Sequence, residues 1–217
     1  MNRSMVGVAM VLAVIGCGKK KADETQDAIG AMAAVAAAGS KLEEGAAEAA
    51  RFQKERVAKG DTVAMPYAEL QKFLPASIGG YLPRGEPAGS QQAMAGFSMS
   101  ETKRTWVKDT AAEGVTPEIH VSLVDFGGSQ QGYAMLAAPM MMGFSQEDAH
   151  RRLGSTTIDV PHTGAWEEFD KDTKNTKLTA IARYRFVITV EARNHGADQT
   201  ALVKRLAEEI AGKFEGK

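Results

Sequence analysis

The sequence predicts an α+β fold, an antiparallel β-sheet packed by helices, and three observations lead to it. Residues 118–126 and 178–192 alternate apolar and polar side chains with period 2, so each strand has one buried and one wet face. Near the C-terminus Leu202, Leu206, Ile210 and Phe214 recur every four residues, with Val203 beside them, an amphipathic helix that needs a sheet to lie on. The links between sheet segments are short, which favours antiparallel meanders over crossover units. The chain has 217 residues, 44% hydrophobic and 24% charged, values ordinary for a globular protein. Its formal charge of −1 argues against nucleic-acid binding, because neutralising phosphates needs a basic excess.

Residues 1–16 (MNRSMVGVAMVLAVIG) place Arg3 before an apolar run from Met5 to Ile15, then Gly16, then Cys17. That run is too short to span a hydrocarbon core, which takes roughly 20 residues, so a cleaved signal peptide is expected over 1–16. Val14-Ile15-Gly16-Cys17 resembles the lipobox of bacterial lipoproteins. The resemblance implies cleavage before Cys17, a diacylglycerol on its sulfur, usually a further acyl chain on the new amino terminus, and residence in the cell envelope with the lipid bilayer as partner. Two or more chains anchor firmly where one holds only marginally. An ordinary secretory leader followed by an incidental cysteine is the alternative. Gly18 lacks the Asp that marks inner-membrane retention in enterobacterial lipoproteins, and so permits outer-membrane sorting.

Cys17 and residues 18–23 (GKKKAD) read as the lipidated position and a short solvated linker. Residues 24–60 are rich in Ala, Glu, Lys, Arg and Gln, all good helix formers, although Gly30, Gly39 and Gly45 interrupt. This is expected to be a helical tether; its second piece, with Phe52 as the bulky residue, is expected to lie loosely or to act as a spacer. No heptad persists, so a coiled coil is not expected.

Gly60-Asp61 breaks the tether, and residues 61–217 are expected to form the α+β domain, of single-core size. Tyr67, Leu70, Phe73 and Leu74 predict a short helix stopped by Pro75, and residues 78–83 a turn-rich lead-in. Residues 92–109 read as extended, in part as two strands joined by Ser100-Glu101-Thr102-Lys103. Glu118–Phe126 is a half-buried strand with Ile119, Val121 and Leu123 inward. Ser129–Ala138 fits a helix, and Ser155–Val160 a strand. Ala165–Phe169 and the long strand Leu178–Ala192 form a hairpin around the polar turn 170–177. Asp198 is expected to cap the last helix. The element order resembles the PsbP-like α/β/α sandwich, which implies a sheet covered by helices.

No local motif for chemistry is present. Gly127-Gly128 lacks the further residues of a phosphate loop, and the four histidines, His120, His150, His162 and His195, have neither i,i+4 pairing nor a CxxC companion. No enzyme activity and no cofactor are expected. Met140, Met141 and Met142, with Met135 near, read as adaptable apolar packing or a binding lip, or alternatively as soft ligands for Cu(I). Arg183 and Arg185, on the polar side of the long strand, read as a solvated row or a surface for an acidic partner. His150-Arg151-Arg152 after Glu147-Asp148 reads as a helix end with local ion pairs, or an anion site. The function expected is a non-enzymatic envelope lipoprotein that binds a protein, an envelope polymer or a small ligand; the alternative is a Cu(I) or redox accessory.

Overall fold

The computed structural model describes residues 43–94, 97–108, 115–127 and 145–215. The leader, Cys17 and its linker, the first part of the Ala-rich segment, the segment 129–138 where a helix is expected, and Met135, Met140, Met141 and Met142 lie outside the described residues. A helix over residues 43–58 (α1) is followed by α2 (Tyr67–Leu70) and one 3-10 turn (Gln71–Phe73). Eight strands come next: β1 (Tyr81–Met94), β2 (Phe97–Lys108), β3 (Glu118–Asp125), β4 (Ser145–Glu147), β5 (Arg151–Thr156), β6 (Thr163–Asp170), β7 (Thr176–Ala182) and β8 (Phe186–Arg193). Helix α3 (Thr200–Gly212) follows.

The strands form one antiparallel sheet in the order β1-β2-β3-β8-β7-β6-β5-β4, so the α+β class holds, with sheet dominant. Two meanders, β1 to β3 and β4 to β8, are joined where β3 pairs with β8. On one sheet face, Trp106, Ile119, Val121, Leu123, Leu178, Ile188 and Val190 are buried against the apolar stripe of α3 and against Leu70 and Leu74. Phe214 lies between Phe73 (centroids 4.4 Å apart) and Phe186 (4.1 Å), both nearly parallel to it, so three rings tie the first turns of the domain to the last. Asp198 accepts the Thr200 N–H (2.9 Å) at the start of α3, but the N-cap position itself is Gln199, whose side chain makes no cap bond, so the helix begins one residue later than a cap at Asp198 implies.

Several elements differ from expectation. The 178–192 segment is two strands, β7 and β8, with residues 183–185 as the loop between them. A three-residue loop conserves parity: Ala182 pairs with Phe186, so the even-numbered residues face the core on both strands and the period-2 pattern runs unbroken through the turn. Residues 100–103 lie within β2, where Ser100 and Thr102 are buried, and form no turn. β1 starts at Tyr81, inside the expected 78–83 lead-in, and takes in residues 84–91 as well, despite Pro83 and Pro87. An edge strand has a side with no ladder to complete, and a register shift between Arg84 and Ala88 absorbs the irregularity. The strand expected at 155–160 lies earlier, over Arg151–Thr156.

Candidate functional site

The β7–β8 loop, at one end of the sheet, gathers the arginines that the sequence singles out. Arg183 (φ 51°) and Tyr184 (φ 55°) both adopt the left-handed conformation, and the Arg185 N–H donates to the Ala182 carbonyl (3.1 Å), closing a turn of the mirror-image type that twisted hairpins favour. Neither is Gly or Asn, and each such residue costs roughly 1–2 kcal/mol. Arg183 N–H also donates to the carbonyl of His162 (2.9 Å), itself at φ 55°, which braces the loop.

Arg185 is not on a solvent-facing strand surface: it is 5% exposed. Its Nε and Nη2 donate to Oδ1 and Oδ2 of Asp125 (2.6 and 2.8 Å), Nη1 to Oδ2 of Asp61 (2.6 Å), and Nη2 also to the Val63 carbonyl (3.1 Å). Asp125, wholly buried, accepts in addition the Met65 N–H (2.7 Å) and the Gly127 N–H (2.8 Å). Burial alone would lower the Arg185 guanidinium, but the bonds to Asp125 and Asp61 outweigh it and hold it above its ordinary value. The arginine thereby clamps the 61–65 segment to the end of β3. Gly127, at φ 56°, sits so close to this segment that a Cβ would fall 2.7 Å from the Ala64 nitrogen.

The second piece of the Ala-rich segment does not hang free of the domain. Phe52 of α1 is buried edge-on against His162 (centroids 5.0 Å), beside Tyr184 (5.5 Å) and under the Arg183 guanidinium (5.0 Å). One turn earlier, Glu48 receives the Tyr184 hydroxyl and pairs with His162 Nδ1 (2.6 Å). The Tyr184 bond, opposed by burial and helped by His162, holds the Glu48 carboxyl below its ordinary range. One turn later, Arg56 donates to the Arg183 carbonyl (3.2 Å). Glu48, Phe52 and Arg56 are spaced i, i+4, i+8 and so share one helix face.

Two hollows flank the arginine loop. The larger, about 540 Å³, is an open cleft that runs along Gly60–Pro66 to Gln91, with Arg185 and Phe186 at its base, a volume in the range of small-molecule sites. The smaller, about 50 Å³, lies between α1 and the loop.

The other singled-out residues are elsewhere. Arg151 and Arg152 stand on β5 rather than at a helix end: Arg151 pairs with Glu168 (3.2 Å), and Arg152 pairs with Glu167 (2.7 Å) and Asp198 (2.9 Å), holding α3 to the sheet. The histidines stay apart. His120 bonds Thr105 and Glu118, His150 bonds Asp172, His162 bonds Glu48 and His195 bonds Tyr81. Among the described residues no group of three His, Cys, Asp or Glu is placed to hold a metal, and no helix is long and apolar enough to cross a membrane. No family model matches the chain, and neither does any curated protein or solved structure.

Sequence reasoning missed Asp61, Asp125, Arg56 and His162. For Asp125 a signal existed: it continues the inward series Ile119, Val121, Leu123, so parity alone puts a carboxylate in the core, where it needs a cation.

Proposed function

We propose that the chain is a bacterial envelope lipoprotein, anchored by acylated Cys17 at the outer membrane or the periplasmic face, whose α+β domain is a non-enzymatic binding module. The observation that carries this reading is the leader: a positive start, an apolar run too short to span a bilayer, and Val14-Ile15-Gly16-Cys17 at its end. The helix over residues 43–58 supports the helical character of the 24–60 tether. α1 is held to the domain at Phe52, so residues 43–58 belong with the domain and are not a spacer. The cleft beside Asp61 and Arg185 supports a binding role, with Arg183 at the rim of that end of the domain. Met140, Met141 and Met142 remain part of the proposed binding surface.

Intact mass of the protein extracted from membranes tests the anchor. The expected species begins at Cys17, lacks residues 1–16 and carries the added mass of fatty acyl chains. A Cys17→Ser chain that matures and partitions with membranes as the wild type does would overturn the proposal. For the binding role, a domain that retains no protein, polymer or small molecule from envelope extract would count against it.

A further inference from the structure

We propose that the small cavity between α1 and the β7–β8 loop is an oxyanion site, built for a phosphoryl group by Arg56, Lys59 and Arg183. The inference deepens the binding reading above by naming a ligand class, and it does not depend on acylation of Cys17.

The cavity is lined by four cations, Arg56, Lys59, Arg183 and Arg185, and two carboxylates, Glu55 and Asp61. Asp61 is already engaged with Arg185 at 2.6 Å, and Glu55 lies near Arg51 at 3.9 Å on the same helix. Among the described residues, no carboxylate stands within ion-pair distance of Arg56, Lys59 or Arg183. Arg183 instead rests on the Phe52 ring and donates to the Glu215 carbonyl (2.6 Å), and among the described residues Arg56 hydrogen-bonds the Arg183 carbonyl alone, through Nη1. Among the described residues Arg56 Nε, like Arg104 Nε elsewhere, is buried with no hydrogen-bond partner, so one of the five guanidinium donors is left to be satisfied. Burial first, and the neighbouring Arg185 second, hold the Arg56 guanidinium below its ordinary value; Asp61 and Asp125 offset this only in part, so an added anion would relieve the remaining penalty.

Shape agrees with charge. At about 50 Å³ the space exceeds the roughly 10–15 Å³ that one water needs, and suits a compact tetrahedral ion better than a planar organic acid with a long tail. Guanidinium donors match phosphoryl oxygens in fork geometry, while Lys59, exposed at the mouth, supplies a mobile point charge. The phosphoryl group has two sources of identical chemistry: free inorganic phosphate or the headgroup of an anionic phospholipid.

The test uses the full-length chain. Isothermal titration with inorganic phosphate is expected to show saturable one-to-one binding, weakened about tenfold or more in Arg56→Gln and less strongly in Lys59→Ala. Phosphate is expected to raise the melting temperature of the wild type and not that of Arg56→Gln. Vesicles of phosphatidylglycerol, compared with vesicles of phosphatidylcholine and using the Cys17→Ser chain, separate the sources. Competition with phosphate by the anionic vesicles alone assigns the site to a headgroup; phosphate binding untouched by either vesicle assigns it to the free ion. Absence of binding to both phosphate and phosphatidylglycerol overturns the proposal, as does Arg56→Gln binding like the wild type. Should Arg56→Gln fail to fold, unaltered binding by Lys59→Ala, a surface change, overturns it equally.

Discussion

The Arg185 guanidinium meets the Asp125 carboxylate with two parallel hydrogen bonds, of 2.6 and 2.8 Å, at a point where one residue is 5% and the other 0% exposed. A buried pair of this kind contributes little over an apolar replacement, yet removing one member strands the other. Asp125→Asn is therefore expected to destabilise the domain by about 3–5 kcal/mol, since Arg185 keeps its charge and loses its bidentate partner. Urea unfolding followed by circular dichroism checks this. A loss under 1 kcal/mol would show that Asp61 suffices to neutralise the arginine.

Phe52 is the centre of the α1 contact. Phe52→Ala removes a ring packed against His162, Tyr184 and Arg183 and is expected to cost about 3 kcal/mol at that contact. His162, Tyr184 and Arg183 all lie in loops outside the strands and α3, so the change is expected to be local: trypsin should cut after Arg51, Lys54 and Arg56 much faster, while the far-ultraviolet spectrum of the sheet persists. Equal cleavage rates in the variant and the wild type would refute the docking.

His195 gives a pH dependence. It is stacked beside Tyr81, and burial, against a smaller opposing effect of its bond to the Glu118 carbonyl, lowers its proton affinity in the folded state below the ordinary 6.5. Above 6.5 the ring is neutral in both states and costs nothing. As pH falls through 6.5 toward the depressed folded value, the unfolded chain takes the proton first and stability is lost. Equilibrium unfolding between pH 7.5 and 5.5 should therefore show a shallower acid decline for His195→Gln than for the wild type; identical slopes would show that this imidazole does not contribute.

Backbone conformation makes opposite predictions at two turns. Gly127→Ala puts a Cβ into the Ala64 backbone at φ 56° and is expected to cost about 2 kcal/mol or more. Lys174 lies at φ 59° in the β6–β7 turn, so Lys174→Gly exchanges left-handed strain for unfolded-state entropy and is expected to gain about 0.5 kcal/mol. Thermal unfolding of the two variants measures both; a destabilised Lys174→Gly would mean that the lysine stem packs more than it strains.

The sheet was legible where one face is apolar and the other wet, as in β3, and so was α3, because its stripe meets that face. The β7–β8 turn was hidden for two reasons. Its residues, Arg183 and Tyr184, carry none of the Gly or Asn that left-handed turns favour, and its length preserved parity. β1 was obscured by Pro83, Gly85, Pro87 and Gly89, whose usual meaning is a loop; only its position at the sheet edge makes them tolerable. The arginine cluster was half visible. Arg185 stood out as a charge, but its burial depends on Asp61 and Asp125, respectively 124 and 60 residues away in the chain. Such convergence leaves no local trace, apart from the carboxylate that parity places inside.

The proline-bearing outer strand has a consequence for crowding. In the lipid-anchored arrangement proposed above, molecules would meet at high density in two dimensions, where a bare strand edge would invite a second molecule to continue the ladder. Two imino acids and a kink along one flank, with a strand of three residues on the other among the described residues, leave little to copy, so molecules packed in this way would resist fusing into fibrils.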